Sequence, residues 1–246
     1  MVRYQLFIEY VGTNFRGWQI QKKGLTIQGY IQNKISTLLK EKIVINGSGR
    51  TDTGVHAIEQ SAHFDCKGPI LNLDKFIKSI NHFLNDKNIA ITKIKKRNNK
   101  FHARFSAKQR IYKYVIFNQI SPPVIEQKRG WHIRKLLDLE LMKKGAKKLV
   151  GTNDYSTFRS SSCHAKSPIR TIKSIKIKSL KKKIEIQFKS QSFLQQQVRS
   201  MVGCLKFLGE KKWDLKTFNR VFKSKNRKLC APPAPPEGLF LTRVIY

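Results

Sequence analysis

Tyr112-Lys113-Tyr114-Val115-Ile116-Phe117 decides the fold, because here the chain begins for a second time a pattern it has already completed once. The run is rich in aromatic and β-branched residues and reads as a strand. Behind it, residues 104–110 close the first set of elements. Further back, Tyr4, Leu6, Ile8 and Tyr10 alternate as a strand, and Ile27, Ile31, Ile35, Leu38 and Leu39 repeat at helical spacing. Residues 43–45 then predict a short strand entering a Gly-rich turn, 58–64 another strand, 76–84 a helix and 89–94 a closing strand.

Ahead of Phe117 the order recurs. The pattern predicts a helix over 139–149 and strands over 169–177 and 184–188. A strongly periodic helix runs through Leu194, Val198, Met201, Val202, Leu205 and Leu208, followed by a shorter one over 215–222 and a last strand over 239–245. The expected fold is α+β, with two ferredoxin-like β-α-β-β-α-β halves, residues 1–105 carrying the Gly-rich loop and 106–246. Antiparallel sheets with helices on one face leave the other face free. Two of them can meet around a central basic cleft. Pro122-Pro123 and residues 231–236 are loops that proline keeps out of regular structure.

The charge points to a partner. The 246 residues include 50 Lys plus Arg against 15 Asp plus Glu, a net +35. Basic residues lie along the whole chain rather than on one amphipathic helix, which favours nucleic acid over a membrane surface. Cys66, Cys163, Cys204 and Cys230 form no C-x-x-C pair, so neither a zinc ribbon nor a disulfide framework is expected, and a reducing cytoplasm fits. The first residues lack a signal-peptide pattern and no apolar run is long enough to span a bilayer. His56, His63 and Cys163-His164 lack partners at metal-ligand spacing, so no metal is expected.

Ser48-Gly49-Arg50-Thr51-Asp52-Thr53-Gly54-Val55-His56-Ala57 departs from its surroundings by setting an acid between two threonines in a Gly-rich turn. Glycines 47, 49 and 54 permit unusual backbone angles and close ligand approach, while the hydroxyls and Arg50 can hold a carboxylate ionised. Asp52 could instead simply make an Asx-turn. A polyanion-binding surface has reason to avoid acids, so one in such a loop suggests chemistry on the ligand. Tyr112 and Tyr114 share a strand face and read as core by pattern. Trp18 and Phe15, beside Gln19 and Arg16, also read first as core. Arg50 and Asp52 could pair, and Arg199 lies off the apolar face of its helix.

Gly49 through Ala57 resembles the signature of the tRNA pseudouridine synthase A family. Phe15-Arg16-Gly17-Trp18-Gln19-Ile20-Gln21, Thr26-Ile27-Gln28-Gly29, Phe101-His102-Ala103-Arg104-Phe105-Ser106-Ala107, Tyr112-Lys113-Tyr114, Val198-Arg199-Ser200-Met201-Val202-Gly203 and Ala234-Pro235-Pro236-Glu237-Gly238-Leu239 extend the resemblance over nearly the whole chain. It implies that Asp52 is the catalytic aspartate, that Tyr112 packs against the target base, and that Arg50 and Arg199 help hold the nucleotide. It further implies transfer RNA as substrate, uridines 38, 39 and 40 of the anticodon stem-loop as targets, no cofactor, and a homodimer. Gln195-Gln196-Gln197 departs from the family pattern, where a histidine or another aromatic is expected, and leaves RNA contacts there in doubt. A non-catalytic RNA-binding protein and a glycosidic hydrolase are the competing readings. The acid-bearing loop weighs against the first, and the missing partner acid and the charge weigh against the second.

Overall fold

A computed structural model describes all of residues 1–246 and contains ten strands and five α-helices. In chain order these are β1 (Val2–Tyr10), α1 (Ile27–Leu39), β2 (Asn46–Gly47), β3 (His56–Cys66), α2 (Leu73–Leu84), β4 (Ile89–Arg97), β5 (Gln109–Asn118), β6 (Trp131–Ile133) and α3 (Leu139–Lys148). Then follow β7 (Gly151–Asp154), β8 (Ile169–Leu180), β9 (Lys183–Ser190), α4 (Gln197–Gly209), α5 (Leu215–Lys223) and β10 (Leu239–Ile245). The chain divides into two compact units: Met1–Lys108 joined by Leu241–Tyr246, and Gln109–Phe240. No helix is long and apolar enough to cross a membrane.

In the first unit the strand order is β4-β1-β3-β10. β1 runs antiparallel to both β3 and β4, with Leu6 opposite Ala62 on one side and Ile94 on the other. Its alternation is real: Tyr4, Leu6, Ile8 and Tyr10 are all buried. α1 and α2 pack on each other and contribute Ile27, Ile31 and Ile35, and Phe76, Ile80 and Leu84, to the core. At roughly 1.5–3 kcal/mol per fully buried large apolar side chain, this layer is the main source of the unit's stability.

Residues 43–45 do not form the expected strand, although Ile43 and Ile45 are buried. The backbone groups of Ile45 are taken by α1 instead. Its N–H donates to Gln32 Oε1 at 3.1 Å and its carbonyl accepts from Gln28 Nε2 at 2.7 Å. Pairing with β3 is left to Asn46 and Gly47, opposite His63 and Ala62.

The second unit has the order β5-β9-β8-β7, antiparallel throughout, and β6 runs parallel to β5. α3, α4 and α5 pack on one another around Met142, Met201, Leu205, Leu208 and Phe218. β6 and β7 are absent from the sequence reading because three- and four-residue strands carry too few residues to show a period. α4 starts at Gln197, so Leu194 lies ahead of it; Gln196 has a left-handed backbone, φ 61°, which a helix cannot continue through. Cys204 and Cys230, 26 residues apart, bring their sulfurs within 3.5 Å as free thiols.

Candidate active site

The loop between β2 and β3 is assembled from below. Thr51 is buried, its carbonyl accepting from Trp18 N at 3.1 Å and its hydroxyl sharing a hydrogen bond with Tyr10 at 2.8 Å. The indole of Trp18 is itself buried and tilted against the Tyr10 ring, centroids 6.1 Å apart. Trp18 and Phe15 are therefore floor and core. Gly17 precedes Trp18 with φ +81°, and a Cβ there would stand 2.5 Å from the Thr51 carbonyl oxygen, so this backbone approach needs glycine.

Asp52 stands half-buried at the crest. Its carbonyl accepts from Val55 N at 3.1 Å, closing a four-residue turn in which Gly54 supplies φ +79°. The flanks are fixed as firmly. Ser48 N donates to Ser61 O at 2.7 Å, Ser48 Oγ bonds Gln60 Oε1 at 2.6 Å, and Gln60 Nε2 donates to Gly49 O at 2.9 Å. Buried His56 accepts from Gly12 N at its Nδ1, 3.0 Å, which leaves the ring proton on Nε2. That histidine is an anchor for the loop's exit. The turn that carries Asp52 is thus held by bonds on both flanks.

Arg50 is exposed and its Nε donates to Gln19 Oε1 at 3.2 Å, so the expected pairing with Asp52 is replaced by a contact along the loop's outer edge. An anionic ligand can reach this exposed guanidinium.

The other two expected site residues belong to the second unit. Tyr112 lies on β5 opposite Phe188 of β9, 7% exposed, with its ring edge-on to Phe193 at 5.3 Å. Tyr114 is fully buried; its hydroxyl donates to Pro235 O at 2.8 Å, and burial pushes the phenol well above its usual pKa. Arg199 is the third residue of α4. Its Nε donates to Ala234 O at 2.7 Å, while Ala234 N donates back to Arg199 O at 2.9 Å. The proline-rich loop is thereby tied to Tyr114 and to the helix that carries Arg199.

The glutamine run resolves into three roles. Gln195 is exposed and its carbonyl accepts from Ser160 N, Gln196 makes the left-handed entry, and Gln197 is fully buried with its Oε1 accepting from Leu194 N at 2.7 Å. Only Gln195 presents a side chain to solvent without restriction. A basic groove on the first unit's sheet was not anticipated. Phe7, Lys93, Lys95, Arg97 and Arg243 line it, with Lys95 Nζ 5.8 Å from the Phe7 ring centre. The alternation of Lys93, Lys95 and Arg97 along β4 is the signal that could have revealed it.

A carboxylate in a pinned turn on a chain of net +35 fits the class of enzymes that do chemistry on a polyanion. Comparison with known proteins narrows the class. A family model described as tRNA pseudouridine synthase matches residues 6–106 and 146–246. The chain is 72% identical to tRNA pseudouridine synthase A of Pelagibacter ubique, over the full length of both. It is 40% identical to the protein of that name from Paramagnetospirillum magneticum, over all of this chain and 96% of the other, and 39% to that of Parvibaculum lavamentivorans, over all of both. The chain belongs to the tRNA pseudouridine synthase family and is an isomerase.

Proposed function

We propose that the chain isomerises uridines 38, 39 and 40 of the transfer RNA anticodon stem-loop, with Asp52 as the reacting carboxylate and no cofactor. The observation that carries this reading is the Asp52 turn, a carboxylate held at the crest of a loop bonded from beneath by Tyr10 and Trp18. Converting uridine to pseudouridine breaks the bond from N1 to C1′ and forms one from C5 to C1′. The C5 proton is lost and N1 gains one, so atoms and electrons balance without oxidant or phosphate donor. An ionised carboxylate serves either route, by adding to C1′ or by removing the C2′ proton to give a glycal.

Tyr112 offers an aromatic face to hold the detached uracil while it turns, and Arg50 and Arg199 offer cations to the flanking phosphates. The protein works as a homodimer in the cytoplasm, where joining two basic surfaces lengthens the track for a folded RNA.

The test is carbodiimide-adduct mapping of pseudouridine in unmodified transfer RNA, incubated with the protein or its Asp52→Asn variant and no added cofactor. New reverse-transcription stops in the anticodon arm are expected with the parent protein alone. Asp52→Asn should cut the rate on the order of 10³-fold or more. It should leave Kd for the RNA within about threefold, because affinity comes from phosphate contacts. Loss of affinity in step with activity would make the loop a structural element and the role given to Asp52 wrong.

A further inference from the structure

Phe105 is 75% exposed, more than any other aromatic ring among the exposed large apolar side chains; Phe83 follows at 42%. It does not sit on a loose loop. His102 N donates to Ser106 Oγ at 2.9 Å, Ser106 N donates to His102 O at 2.9 Å, and His102 Nδ1 accepts from Arg104 N at 3.1 Å. These bonds close residues 102–106 into one tight turn. Phe105 rests on the His102 ring, centroids 4.4 Å apart, and His102 rests on buried His63 at 4.7 Å. His63 meets Phe101 at 6.2 Å, and Phe101 meets Tyr246 at 4.9 Å. Five rings therefore form a continuous series of contacts through buried His63 and Phe101, and Phe105 is its exposed end.

The surroundings select what can cover it. Lys100, Arg104 and Lys108 are exposed within five residues of Phe105, the Arg104 guanidinium lies 5.5 Å from the ring centre, and the chain carries +35. A rigid aromatic face bordered by cations matches a nucleobase with its phosphates, since stacking meets the ring and the cations meet the backbone. An apolar protein surface would gain the ring but would have to desolvate the cations. We infer that Phe105 is a stacking platform for an unpaired nucleobase of the substrate RNA, other than the uracil held by Tyr112. This deepens the function proposed above and rests on transfer RNA being the substrate.

The test measures Kd for unmodified transfer RNA at fixed salt for the parent, Phe105→Ala, Phe105→Leu and Phe105→Trp. Stacking predicts that Ala and Leu each raise Kd by about 5- to 100-fold and that Trp restores it to within about threefold. The slope of log Kd against log salt should not change, because no phosphate contact is lost. Parental affinity in Phe105→Ala, or Leu binding as well as Trp, would overturn the inference. So would dissociation of a protein dimer by Phe105→Ala in light scattering, since the ring would then pack against a second copy. Should Phe105→Ala fail to fold, the Leu and Trp pair alone decides. The parent's pseudouridine yield on the same RNA tests the reading of function separately from the ratio of affinities.

Discussion

His63 shows how one buried side chain sets a pH limit. Burial, then the Arg3 guanidinium and His102, lower its pKa from 6.5 to about 4. The neutral ring is also the one the structure uses, because Nδ1 accepts from Ala103 N at 3.2 Å. Between those two values the unfolded chain binds a proton that the folded one refuses. Stability from this group is thus complete above pH 6.5 and declines as pH falls toward 4. Urea denaturation should show a loss of about 2–3 kcal/mol over that window. His63→Gln should reduce the slope without abolishing it, since the His102 pKa is lowered as well. Retention of the full slope in His63→Gln would assign it elsewhere. Nothing in the sequence announces this group, because its burial depends on Phe101 and His102, some 40 residues away.

Among the elements, helix starts were there to be read. α1, α2, α3 and α5 each follow a residue, Thr26, Asn72, Asp138 or Asp214, whose side-chain oxygen accepts from the third helical N–H. α4, the helix that carries Arg199, begins instead from left-handed Gln196 with no side-chain cap. Apolar periodicity alone runs past that break and places Leu194 inside. Asp214→Ala should cost about 1 kcal/mol, seen as a lower urea midpoint at unchanged m, and Asp214→Asn should recover most of it. An unchanged midpoint in Asp214→Ala would mean that α5 is held by packing of Phe218, Val221 and Phe222 alone. The Asp52 turn was legible for a different reason. Its glycines and hydroxyls are local devices, whereas the floor beneath it, Tyr10 and Trp18, comes from residues more than 30 positions earlier and reads only as core.

At the scale of the whole molecule, the charge governs association. With a net +35, RNA affinity should fall steeply with salt, each neutralised phosphate contributing about −0.7 to −0.9 to the slope of log affinity against log salt. The proposed homodimer should appear in light scattering near twice the 28.6 kDa chain mass, and a value near one chain mass at working concentration would overturn it. The order of elements was readable from hydrophobic period, but the company kept by the last strand was not. Residues Leu241–Tyr246 cluster with Met1–Lys108, and the Tyr246 hydroxyl bonds both Ser61 Oγ and Ala103 O at 2.8 Å. On the ribosome, therefore, the first unit to emerge is among the last to be finished. Apart from its two-residue pairing with β2, the edge of β3 that β10 covers waits open while all of residues 109–240 are made, and an open strand edge invites pairing with another chain. In the growing polypeptide, the unit bearing Asp52 can close only after residues 109–240 have been made.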